Sequence, residues 1–279
     1  MRNFAFLLLA SLLFSTAAHA DIKFATWNIY WLGDGQGNDK SKRIAAEYKT
    51  LADYAKKLDA DIIAVQEVEN SAALEKLFPG SEYNIEMSQR NNSQRTGFAI
   101  RKGIQYSRLP DYEDLNVSGG LRYGTVISVR HDGKDIAIMA VHLKSGCFEK
   151  DLDQPAGDAC VKLEKQIVPL KSWIDGQVSA GTPFVMLGDF NRRMDKAGDD
   201  LWREIGGTGA VRANATHKPK CYGGKFKEYI DHLIVGPQLA GSIIPGSFSE
   251  MIYSEGYGGY KKLSDHCPLS FMMTDNVNN

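Results

Sequence analysis

The chain has 279 residues, with 33 Lys and Arg against 34 Asp and Glu and a formal charge of −1. That balance excludes a long-range basic field as the means of capturing a polyanion, so a nucleic-acid partner would have to be met by local clusters and a metal. No Pro/Ser-rich linker, low-complexity tract or internal repeat divides the sequence, and one domain over residues 21–279 is expected.

Residues 1–20, "MRNFAFLLLASLLFSTAAHA", read as a secretory signal: Arg2, an apolar run from Phe4 to Phe14, then small Ala18 and Ala20 before Asp21. The run is far short of the roughly 20 residues a spanning helix needs. The expected product is soluble and exported, periplasmic or secreted. Beyond it, "IKFATWNIYWL" alternates as a strand. In "KSKRIAAEYKTLADYAKKL", Ile44, Tyr48, Leu51, Tyr54, Ala55 and Leu58 fall near helical spacing, which predicts an amphipathic helix. "DIIAVQEV" is a continuous apolar run ending in charge, the mark of a buried strand, and "SAALEKLF" a short helix after it. Strands "TGFAIRK", "YGTVISVRH" and "KDIAIMAVHLKS" follow, then a helix through "VKLEKQIVPLKSWIDGQV" with a bend expected at Pro169. "TPFVMLGDFN", "EYIDHLIV" and "HCPLSFMMT" complete the strands. Many paired strands with few helices predict an α/β sandwich of two mostly antiparallel sheets with helices outside.

Four cysteines in an exported chain favour disulfides, with three possible connectivities. Local closure of Cys147 with Cys160 around a polar loop is the simplest arrangement, and it leaves Cys221 for Cys267. A zinc site is the weaker alternative, because no C-x-x-C spacing is present.

Several strands stop at a residue able to move a proton or hold a metal: Asn28, Glu67, His142, Asp189 with Asn191, Asp231, and Asp265–His266 ahead of the last strand. Each has an ordinary reading, as turn residue, strand terminus or core histidine. Their recurrence at strand ends, where one sandwich edge gathers distant segments, makes a single cleft the better account.

In "TWNIYWL", "QEVEN", "VHLKS", "GDFN", "YIDHLIV" and "SDHCPL", in that order, the chain resembles the endonuclease/exonuclease/phosphatase superfamily, whose members include secreted deoxyribonucleases, abasic-site endonucleases and neutral sphingomyelinases. The resemblance covers nearly the whole mature chain and implies a four-layered α/β sandwich. It implies that Glu67, helped by Asn28 and by Asp265, holds Mg²⁺ or Mn²⁺, with Ca²⁺ as a candidate structural ion. His266, oriented by Asp231, would activate water, while His142 and Asn191 would bind the phosphoryl oxygens and Asp189 would act near the leaving oxygen.

The same resemblance points to Arg95 and Arg122 as phosphate contacts, and Arg192 and Arg193 sit beside the catalytic loop. A glutamate that secreted deoxyribonucleases carry near Arg95 is missing, which leaves the division of acid and base roles open. Lys218, Lys220, Lys225 and Lys227 add a basic rim, so a monomeric nuclease acting on DNA, with RNA as a second substrate, is the expectation. The alternatives are a sphingomyelinase-like lipid phosphodiesterase, with Tyr253, Tyr257 and Tyr260 meeting a membrane instead of stacking on bases, and a catalytically silent binding module. The lack of a long apolar hairpin argues against stable membrane association.

Overall fold

The computed structural model describes residues 21–35, 39–260 and 262–274. The expected signal segment, residues 1–20, lies outside the described residues. Strands and helices follow in the order β1 (Ile22–Leu32), α1 (Ala45–Leu58), β2 (Ile62–Val68), α2 (Ser71–Glu75), β3 (Tyr83–Met87), β4 (Arg95–Arg101), β5 (Tyr106–Arg108), β6 (Thr125–His131) and β7 (Lys134–His142). The second half runs α3 (Asp158–Ser179), β8 (Phe184–Asp189), α4 (Asp200–Gly206), β9 (Val211–Arg212), α5 (Cys221–Gly224), β10 (Asp231–Val235), β11 (Ser249–Glu250) and β12 (Leu269–Met273).

These strands form two six-stranded sheets, ordered β11-β12-β1-β2-β4-β3 and β5-β6-β7-β8-β10-β9. Within each sheet one central pair is parallel, β1 with β2 and β7 with β8, and the other pairs are antiparallel. A parallel pair needs a crossover, and α1 and α3 supply the two.

Alternation along the strands explains the layers. Phe24, Ile62 and Ala64 point between the sheets with Ile136, Ile138, Val185, Leu187 and Phe271. Their neighbours Ala25, Trp27, Ile63 and Val65 point the other way, into a cluster with Leu51, Tyr54 and Leu58 of α1. On the second sheet Met139, Val141 and Met186 turn outward to Leu163, Leu170 and Ile174 of α3. Central strands buried on both faces read as unbroken apolar runs, as "IIAV" and "IAIMAV" do. Helix α3 continues through Pro169 as one element of 22 residues.

Two disulfides join Cys147 to Cys160 and Cys221 to Cys267, with Cα separations of 5.0 and 5.9 Å. No described helix is long and apolar enough to cross a membrane.

Candidate active site

Strand register places the polar residues in rows. On the second sheet His142 lies opposite Asp189, and Asp189 opposite Asp231, so three adjacent strands bring an imidazole and two carboxylates to one edge. On the first sheet Asn28 ends the regular pairing of β1 with β2, and Glu67 follows its partner Gln66.

Local backbone distortion then aims these side chains. The β1/β2 register shifts beyond Asn28, and Tyr30, Trp31, Glu67 and Asn191 all have positive φ. Such irregularities at a strand end redirect a side chain off the pleat. Gly188, at φ 153°, lets β8 approach β7: a Cβ there would stand 2.0 Å from the Val141 carbonyl oxygen.

Asn28 is the junction between the sheets. Its Nδ2 donates to Glu67 Oε1 at 3.2 Å and to Asp189 Oδ2 at 3.1 Å, while its Oδ1 accepts from Tyr30 N. The amide nitrogen thus clamps two carboxylates, while the amide oxygen keeps a second lone pair beside the bond from Tyr30 N. Glu67 Oε2 also accepts from Trp31 N.

His266 Nδ1 lies 2.7 Å from Asp231 Oδ2, and its Nε2 faces Asp189 and Asp265, each at 3.8 Å. Burial acts to lower its pKa, but Asp231, Asp189 and Asp265 outweigh that and hold it well above the ordinary imidazole range. His142 is the opposite case. Burial, reinforced by Arg122 and His266, holds it well below that range, so it stays neutral with Nε2 3.5 Å from Asp189 Oδ2. Burial also pushes the carboxyls of Glu67 and Asp189 up. Two imidazoles in one cleft thus carry different charges, because three carboxylates face one and an arginine stands beside the other.

The loop bearing His266 is tied down from several directions. Ser264 Oγ donates to the Asn28 carbonyl and accepts from His266 N, and Tyr253, itself bonded by Trp27 Nε1, donates to the His266 carbonyl. Cys267 adds the covalent link to Cys221.

Among the arginines, only part of the expected set reaches the cleft. Arg122 lines it, with Nε donating to the His142 carbonyl at 3.0 Å and Nη2 to that of Leu143, and burial lowers its pKa to about 10. Arg95 is half-buried and donates to the Asn92 carbonyl at 3.0 Å, while its neighbour Gln94 lines the cleft. Arg192 corrects the sequence expectation outright. It is buried, with Nε 2.5 Å from Asp199 Oδ2 and Nη1 donating to the carbonyls of Cys147 and Lys150, so it locks the loop 147–150 to α4 and is not available to a phosphate. Arg193 lines the cleft in its place. Lys218, Lys220, Lys225 and Lys227 are exposed on the adjoining loop.

Residues that sequence reasoning passed over complete the cleft, which encloses about 380 Å³ and has Phe148 and Phe226 in its wall. Arg90, buried with its guanidinium on the Gln94 and Gly120 carbonyls, binds two cleft loops together. Its only sequence signal was position, directly before the run "NNS".

The donor set suits a hard divalent cation. Glu67 and Asp189 set their oxygens on the Asn28 clamp, Asp265 lines the same cleft 3.8 Å from His266 Nε2, and Asp231 Oδ1 is buried with no hydrogen-bond partner. The grouping of Cys221, Glu250 and Cys267 offers no alternative for a soft metal, because its two sulfurs form a disulfide.

The sequence model of the Endonuclease/Exonuclease/phosphatase family matches residues 25–266, and the chain belongs to that family. Its members are metal-dependent phosphoesterases and nucleases. No curated protein matches the sequence significantly. Among solved structures, the chain is similar to TDP2 from C. elegans, with a TM-score of 0.63 at 17% identity over 91% of this chain and 75% of that one. It is also similar to the 3′ phosphatase NExo from Neisseria bound to product DNA hairpin, with a TM-score of 0.58 at 15% identity over 91% and 99% of the two chains. An AP endonuclease from Archaeoglobus fulgidus gives a TM-score of 0.58 at 16% identity over 90% and 99%. At these identities the likeness is one of fold.

Proposed function

We propose that the chain is an exported, divalent-metal-dependent phosphodiesterase that hydrolyses nucleic acid, DNA first and RNA second. The observation that carries this reading is the meeting of the two sheets at one sandwich edge: His142, Asp189 and Asp231 from the second sheet, Asn28, Glu67 and the His266 loop from the first, with Arg122 and Arg193 on the same cleft. Two of the similar structures, the DNA-bound 3′ phosphatase and the AP endonuclease, are named for nucleic-acid chemistry and support the substrate class. The two disulfides support an oxidising compartment, and with it export; a monomer of one domain belongs to the same proposal.

Glu67 and Asp265 would hold Mg²⁺ or Mn²⁺, with Asn28 fixing Glu67 in place. Such an ion supplies charge neutralisation at the phosphoryl oxygens. His266 Nε2 would take the proton of the attacking water in its neutral form, once the imidazolium that the facing carboxylates favour has given up its own proton, and the Asp231 carboxylate on Nδ1 fixes the tautomer and steadies the imidazolium that results. Asp189 lies 3.8 Å from that nitrogen and, with its pKa raised by burial, is suited to give a proton to the leaving oxygen. His142, neutral, and Asn191, whose Nδ2 also donates to the Leu143 carbonyl, face the developing negative charge.

Cleavage of supercoiled plasmid by wild type and His266→Ala, with Mg²⁺, Mn²⁺ or EDTA, tests the reading. Metal-dependent nicking by wild type alone supports it. Turnover of sphingomyelin in place of DNA and RNA would transfer the same chemistry to a lipid phosphodiester, and absence of turnover on every phosphoester would leave a binding module.

A further inference from the structure

The cleft rim carries an aromatic ladder that the hydrolytic chemistry does not use. Tyr257 and Tyr260 stack with centroids 5.1 Å apart and planes 14° from parallel. Tyr222 meets both edge-on, at 6.2 and 5.3 Å, and donates its hydroxyl to the Ser264 carbonyl beside the catalytic loop. Lys225 lies 4.2 Å from the Tyr260 ring and 4.8 Å from that of Tyr257, whose hydroxyl accepts from its Nζ at 2.7 Å. Phe226 and Tyr260 face the cleft, while Tyr257 at the outer end is 60% exposed.

Rings already fixed in a stack lose little freedom when another flat ring is added, so the face of the ladder is preorganised for an aromatic guest. The exposed ammonium of Lys225 stands where the phosphate beside such a guest would need a counter-charge. A lipid surface fits less well. Of the other large hydrophobics that are exposed among the described residues, Ile44, Val168 and Ile252 lie outside the cleft lining and only Phe148 belongs to it, whereas the ladder is built of hydroxylated rings around a cation.

We propose that the Tyr257–Tyr260–Lys225 ladder is a stacking platform for unpaired nucleobases, and that the preferred substrate has a single-stranded segment next to the scissile phosphate. A duplex keeps its base faces inside its own stack and presents only backbone and groove edges, so it cannot use the ladder. The inference rests on the nucleic-acid reading of the cleft and adds the strand state of the substrate. The platform is covalently coupled to the chemistry, because Cys221, next to Tyr222, is bonded to Cys267, next to His266.

Fluorescence anisotropy with a labelled oligothymidylate and with a labelled blunt-ended duplex without a loop, both in EDTA so that neither is cut, tests the proposal on wild type, Tyr257→Ala and Tyr257→Phe. Wild type binds the single strand about tenfold more tightly than the duplex, Tyr257→Ala loses about tenfold on the single strand alone, and Tyr257→Phe keeps wild-type binding. Equal affinity of wild type for both forms, or an equal effect of Tyr257→Ala on both, overturns the platform. Plasmid nicking with Mg²⁺ separates the two failures. Nicking without a single-strand preference refutes the ladder alone, whereas turnover of sphingomyelin vesicles with neither binding nor nicking of nucleic acid refutes the substrate class and the ladder with it.

Discussion

Replacing Arg192 by alanine separates a structural arginine from a substrate-binding one. Its side chain is 2% exposed and its partner Asp199 is fully buried. The substitution leaves Asp199 as an uncompensated buried carboxylate and strips donors from the Cys147 and Lys150 carbonyls. Asp199 also caps α4 by accepting from Trp202 N, so the loss spreads to the start of that helix. Breaking a buried ion pair from one side costs about 3–5 kcal/mol. For a chain of this size about 2–4 °C is lost per kcal/mol, which puts the expected fall in Tm at about 6–20 °C. Scanning calorimetry on the purified, oxidised protein measures it, and phosphodiester turnover well below the transition completes the test. The expected result is a large fall in Tm with KM within about threefold of wild type. An unchanged Tm with a sharply raised KM would refute the structural role and return Arg192 to the phosphate.

Other perturbations give distinct readouts. Glu67→Ala is expected to shift the Mg²⁺ requirement upward by about tenfold or more, read by metal titration of activity; an unchanged titration would remove Glu67 from the ion. Asp231→Asn keeps the shape of the pair but removes the charge that orients His266 and steadies the imidazolium formed when it takes the water's proton, so kcat should fall by about 10²–10⁴-fold, and equal kcat would show that His266 works alone. Reducing Cys221–Cys267 frees the segment after His266 and should lower activity before Tm changes greatly; full activity in the reduced protein, confirmed by thiol titration, would refute that coupling. Buried His232 is held down to about 3 by burial, from an ordinary 6.5. The unfolded chain therefore binds the extra proton between those values, and stability falls as the pH drops through that window. About 2 kcal/mol should be lost between pH 6.5 and about pH 5, and His232→Gln should flatten the slope in urea titrations. An unchanged slope would place the acid sensitivity elsewhere.

The sandwich was legible because its central strands are buried on both faces: "IIAV" and "IAIMAV" leave no polar face for water, and α1 shows its apolar stripe plainly. Edge strands were not legible. β9 and β11 have two residues each, and β3 depends on β4 across the sheet, so pairing and not local propensity makes them. For the site, the chain's habit of ending apolar runs in acids, amides and imidazoles identified the groups that converge. It did not disclose their orientation. Asn28 turns its oxygen to Tyr30 N because residues 30 and 31 take left-handed conformations, and the left-handed Asn191 precedes the step that sends Arg192 inward and leaves Arg193 on the cleft. Such reversals depend on single φ angles, to which neither spacing nor composition is sensitive.

β1 pairs antiparallel with β12, and Ser264 Oγ reaches the Asn28 carbonyl across 236 positions of sequence. The carboxylate clamp and the imidazole that Asp231 orients are therefore separated by most of the sequence. A chain synthesised only as far as β10 carries Asn28, Glu67 and Asp231 without His266. The candidate site is therefore complete only when β12 docks on β1, so its assembly waits for the closing of the first sheet.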